Sequence, residues 1–97
     1  MKAKFLSEAL KEFEDATQHY KEIDIDLGLR FRAVIADAVT SICREPLFCP
    51  IYIDEIRRRV LIAFPYLIFY IQTSDEIMVV AVMHSSREPD YWKDRLD

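Results

Sequence analysis

The spacing of apolar residues changes once along this chain, between Pro46 and Pro50, and that change sets what the chain can fold into. Before it, apolar side chains recur three and four residues apart, as on one face of an amphipathic helix. After it they alternate, or run unbroken through short β-branched and aromatic stretches, as strands do.

In the first half, Ala9, Leu10, Phe13, Ala16 and Tyr20 predict a helix from Ser7 to about Ile23, with Ser7 as its cap and Glu8 suiting the helix dipole. Asp24-Ile25-Asp26-Leu27-Gly28 interrupts the spacing. Phe31, Val34, Ile35, Ala38, Val39, Ile42 and Cys43 then predict a second helix that stops before Pro46. Two helices with a short connection form an antiparallel hairpin with one apolar face. Lys2 to Leu6 reads as a short strand or a lead-in.

In the second half, strands are expected over Ile56–Ile62, Tyr66–Gln72 and Ile77–Ser85, with Pro50 keeping the preceding stretch irregular. Thr73-Ser74-Asp75-Glu76 lacks the Asn-Gly or Asp-Gly signature, so a four-residue type I hairpin loop is expected. Leu67 to Ile71 and Met78 to Met83 are apolar at nearly every position, which implies strands covered on both faces. One face meets the helices. The other needs a C-terminal segment or a second polypeptide, and the expectation is that a companion chain shelters it.

At 97 residues with 52% hydrophobic and 31% charged side chains and one glycine, the chain is expected to form one folded domain rather than a disordered or collagen-like segment. No apolar run approaches the ~20 residues of a membrane span. Charged residues break any secretory h-region at the amino terminus, so a cytoplasmic protein is expected. Cys43 and Cys49 match neither a CxxC pair nor a zinc site and read as reduced structural cysteines. The single glycine excludes GxGxxG and GxxxxGK[ST] loops, and no HExxH or GxSxG is present, so no cofactor or metal is expected.

The net charge of −4 argues against a protein whose whole surface binds nucleic acid. Cations are nevertheless clustered. In a strand, Arg57 and Arg59 share one face with Leu61, a spacing suited to phosphate or carboxylate contacts, or to pairing with Asp54 and Glu55; Arg58 takes the opposite face with Ile56 and Val60. His84 and Arg87, at the end of the last strand, offer a proton carrier and a cation that, with Tyr91, could form a metal-free ribonuclease site. A lone strand-end histidine more often only hydrogen-bonds backbone. The tail Tyr91-Trp92-Lys93-Asp94-Arg95 could stack on bases, enter a partner's groove, or fold back over the open face of the sheet, the last being the favoured use of Trp92.

Taken together, Leu27-Gly28-Leu29-Arg30-Phe31, the Arg57-Arg58 to Phe64-Pro65-Tyr66 block, and the ending His84, Arg87, Pro89, Tyr91, Trp92 resemble the RelE/ParE superfamily of bacterial toxins from type II toxin-antitoxin modules, often labelled plasmid stabilization proteins. The resemblance spans nearly the whole chain. It implies an α+β fold, with an N-terminal helical hairpin packed on a twisted antiparallel sheet of three to four strands, and a cognate antitoxin that wraps the toxin. RelE-like members cleave messenger RNA on the ribosome, and ParE-like members poison DNA gyrase. By position, His84, Arg87 and Tyr91 are the catalytic residues if the chain is RelE-like; Arg57, Arg59 and Lys93 are phosphate-binding candidates; Trp92 and Arg95 are partner-binding candidates. The acidic balance and the absence of lysine from Phe48 to Glu55 tilt the expectation toward gyrase inhibition, with the endonuclease and an inactive antitoxin-binding scaffold as alternatives. The sequence leaves a homodimer open.

Overall fold

The computed structural model describes residues 1–96. In chain order it contains β1 (Lys2–Phe5), α1 (Ser7–Ile23), α2 (Ile25–Arg44), β2 (Ile51–Ile53), β3 (Ile56–Val60), β4 (Tyr66–Gln72), β5 (Glu76–His84) and a 3₁₀ turn (Lys93–Leu96). The strands form one sheet in the order β1-β5-β4-β3-β2. The α+β expectation holds, with two differences. The sheet has five strands, because residues 51–53 and the lead-in both pair, and it is mixed, because β1 lies parallel to β5.

The helical hairpin is tighter than its sequence suggests. Ser7 does not cap α1: Leu6 donates its N–H to the Val79 carbonyl at 3.0 Å, so the chain passes from strand to helix at Leu6, and the Ser7 hydroxyl turns to Glu8. Asp24 alone joins the helices. Its N–H closes α1 on the Tyr20 carbonyl at 2.9 Å, while its carboxylate accepts the Asp26 N–H at 2.8 Å and starts α2. Residues 25–28 are therefore the first turn of α2, not a break. Gly28 sits where the helices nearly touch: a Cβ there would lie 2.2 Å from Lys21 Cγ and 2.8 Å from the Lys21 backbone nitrogen. Close approach, not a turn, explains the glycine.

β5 carries the extra residue that lets it be apolar throughout. Phe69 pairs with Ala81 but Tyr70 pairs with Val79, so Val80 is bulged out of register. The bulge flips the alternation. Ile77, Val79 and Val82 join Phe13, Phe31, Ile35 and Ile68 in the core beneath the helices, while Val80, Ala81 and Met83 face the other way with Ile56 and Phe69.

That second face is roofed by the chain itself. Trp92 has 0% of its surface exposed and its ring lies 4.4 Å, centroid to centroid, from Phe69. The expectation of a companion chain over this face is thus corrected: residues 85–96 fold back as a strap and cover it. β3 also ends earlier than expected, at Val60, because the chain bends away towards Phe64 and leaves Ile62 fully in solvent. The β4–β5 loop has three residues, since Glu76 already pairs with Lys2.

Candidate functional site

The Tyr52 hydroxyl donates to Asp90 of the strap at 2.8 Å, but most of the strap's ties gather on one other carboxylate. Beyond Phe5, β1 no longer covers the edge of β5, and the exposed backbone groups there need partners. Glu12, on the inner side of α1, accepts the Val82 N–H at 3.1 Å. It also accepts the Tyr91 hydroxyl and both guanidinium nitrogens of Arg95, at 2.8 and 3.0 Å. Arg95 in turn donates to the carbonyl of the bulged Val80 at 3.0 Å. Both side chains of this ion pair are about 15% exposed or less, and the bond to Glu12 holds the Arg95 guanidinium above its ordinary pKa.

Beside this knot lies an open cleft of about 370 Å³ between α1 and the end of β5. α1 contributes Glu12, Asp15 and His19; β4 contributes Tyr66; β5 and its turn contribute His84 and Arg87. His84 meets the Tyr66 ring edge-on at 5.1 Å. Its Nδ1 accepts the backbone N–H of Ser86 at 3.0 Å, which leaves the imidazole proton on Nε2. Arg87 stacks over the Tyr91 ring at 4.1 Å.

Of the three expected catalytic residues, His84 and Arg87 line this cleft. Tyr91 lies behind Arg87 with its hydroxyl committed to Glu12, and burial first, then that hydrogen bond, pushes its pKa up to about 12. It is a poor proton carrier near neutrality. Glu12 and Asp15 also line the cleft, each already ion-paired, Glu12 with Arg95 and Asp15 with Lys11 at 3.1 Å, so neither Arg95 nor Lys11 is left free for a phosphodiester.

Arg57 and Arg59 are not brought to this cleft. They lie on the helix-covered face of β3, across β4 from β5, opposite Tyr70 and Ile68. Arg57 donates to the Cys49 carbonyl at 2.6 Å and the Leu47 carbonyl at 3.3 Å; Arg59 donates to the Ser41 hydroxyl at 3.3 Å. Neither pairs with Asp54 or Glu55. Arg58 lies over the Tyr52 ring on the other face. Lys93 pairs with Asp90 at 3.4 Å. Trp92 and Arg95, the partner-binding candidates, are both committed within the chain, one as roof and one as tie. Cys43 and Cys49 are free thiols. Among the described residues no three His, Cys, Asp or Glu side chains are arranged to hold a metal ion, and no helix is long and apolar enough to cross a membrane.

Sequence reasoning missed Glu12, the centre of the site. Its only signal is position: it falls three residues after Ala9 and four before Ala16, inside the apolar stripe of α1.

The family described as "ParE toxin of type II toxin-antitoxin system, parDE" matches residues 3–89. The chain belongs to the ParE toxin family. Among solved structures, the chromosomal ParDE toxin-antitoxin system from P. aeruginosa is similar in fold, with a TM-score of 0.74 and 15% identity, over 87% of this chain and 95% of that one. No curated protein matches significantly. The ParE match ends at residue 89, so the strap's anchors Tyr91, Trp92 and Arg95 lie beyond it.

Proposed function

We propose that this ParE-family chain is a one-domain toxin of the cytoplasm that arrests growth by binding DNA gyrase, and that a cognate antitoxin neutralises it. The observation that carries this reading over RNA cleavage is the commitment of Tyr91 to Glu12. Without that hydroxyl the cleft holds imidazoles and one arginine, its carboxylates Glu12 and Asp15 being paired with Arg95 and Lys11. A cleaving site needs a free acid-base pair and a cation cluster around the scissile phosphate. Inhibition by protein contact needs neither.

The ribosome-dependent endonuclease remains the second reading, because His84 and Arg87 do line one cleft. Inducing the chain with His84→Ala and Arg87→Ala combined separates them. Growth arrest that survives in this folded variant supports inhibition by contact; loss of arrest moves the assignment to RNA chemistry. Induction of the unaltered chain without effect on growth would leave only the scaffold reading.

A further inference from the structure

The loop that joins α2 to β2 is held rigidly from below. The Tyr70 hydroxyl donates to the Pro46 carbonyl at 2.8 Å, and Arg57 donates to the carbonyls of Leu47 at 3.3 Å and Cys49 at 2.6 Å. The Phe48 N–H closes the turn on the Glu45 carbonyl at 3.1 Å. Pro46 and Pro50 fix φ near the two ends, and Cys49 is buried in the core. Yet the side chains this backbone presents are apolar and face water: Leu47 is 66% exposed and Phe48 79%, with Ile51 exposed close by. Large apolar side chains on an ordered backbone give up little freedom when they dock, which is what an interface anchor requires.

A shallow hollow lies on each side of this knob. One, of about 210 Å³, brings Glu45 beside Phe48; the other, of about 230 Å³, brings Asp54 and Glu55 beside Leu47 and Ile51. All three carboxylates are exposed, and none forms an ion pair among the described residues. The cations nearby are directed elsewhere. Arg57 is turned to the loop's carbonyls and Arg59 to the Ser41 hydroxyl, while Arg44 lines neither hollow. The knob is therefore apolar at its centre and acidic at its rim, and it shares no residue with the cleft of His84 and Arg87.

We infer that Leu47 and Phe48 are the anchor with which the chain grips DNA gyrase, seated in a cation-lined groove whose lysines and arginines meet Glu45, Asp54 and Glu55. The inference rests on the gyrase reading above and gives that contact a place and a chemistry. An enzyme that works on DNA holds the phosphodiester backbone by neutralising its charge, so it presents grooves of this kind. An apolar centre with a polar rim is the anatomy of a specific protein interface, and opposite charge at the rim steers the encounter. A second copy of this chain fits less well, because a two-fold contact would set the same three carboxylates against themselves.

The test measures how much full-length chain is needed to stop supercoiling by purified DNA gyrase. Leu47→Ala combined with Phe48→Ala removes only exposed side chains, so the melting temperature is expected to hold while the inhibiting concentration rises about thirtyfold or more. Glu45→Lys combined with Glu55→Lys keeps the anchor and is expected to weaken inhibition about tenfold at low salt, the difference shrinking as salt screens it. Inhibition by the double alanine chain equal to that of the unaltered chain would overturn the inference. So would a change seen only in self-association or in binding of a neutralising protein, with supercoiling still blocked. If the double alanine chain melts lower, the charge reversal decides, and undiminished inhibition at low salt overturns the inference. An unaltered chain that leaves supercoiling untouched would instead remove the gyrase reading, and this inference with it.

Discussion

Glu12 in the first helix grips Arg95, eighty-three residues further on, through two hydrogen bonds of 2.8 and 3.0 Å. The same carboxylate receives Val82 and Tyr91, so one side chain binds helix, sheet edge and strap into a single unit. Removing one member of a shielded ion pair leaves the other charge without its partner. Glu12→Ala is expected to destabilise the chain by about 3 kcal/mol or more. Thermal or denaturant melting measures this, and a loss below about 1 kcal/mol would mean the pair behaves as a surface contact.

The fold also depends on a protonated Tyr91. Its pKa lies near 12 in the folded chain against an ordinary value of 10, so the folded state keeps the proton after the unfolded state has released it. The stability this contributes is fully present below pH 10 and is lost as pH rises towards 12. Its size is on the order of 1 kcal/mol, allowing for the solvent the ring still meets. Melting curves between pH 9 and 12 should fall more steeply for the unaltered chain than for Tyr91→Phe; parallel slopes would contradict the assignment.

Trp92 fills the roof of the second face, yet its indole N–H is buried without a partner among the described residues. Trp92→Ala is expected to cost about 3 to 5 kcal/mol. Trp92→Phe should cost far less, because it deletes an unsatisfied donor worth about 1 to 3 kcal/mol while keeping an aromatic ring on Phe69. Equal losses from both variants would show that the N–H is satisfied in solution.

Gly28→Ala should destabilise, although alanine is the better helix former by about 1 kcal/mol. The added methyl would meet the backbone of Lys21, which cannot move without opening the hairpin. A gain in melting temperature would mean that the helices already sit further apart.

Much of this architecture is legible in the sequence, and the exceptions have definite causes. The helical stripes, the stop at Pro46 and the extents of β4 and most of β5 follow from local periodicity alone. Gly28 reads as a break because its reason, contact with Lys21, is tertiary. Val80 hides its bulge because every residue around it is apolar. β1 is ambiguous as a four-residue piece whose partner lies more than seventy residues away. In the site, His84 and Arg87 announce themselves by type and place. Glu12 does not, since an acidic residue on a charged helix looks solvated until the strap folds over it.

The most direct measurement adds purified chain to DNA gyrase in a supercoiling assay and, in parallel, to a translating extract. A gyrase-directed toxin stops supercoiling and leaves the message whole. Untouched supercoiling together with message truncated only when ribosomes are present would contradict it.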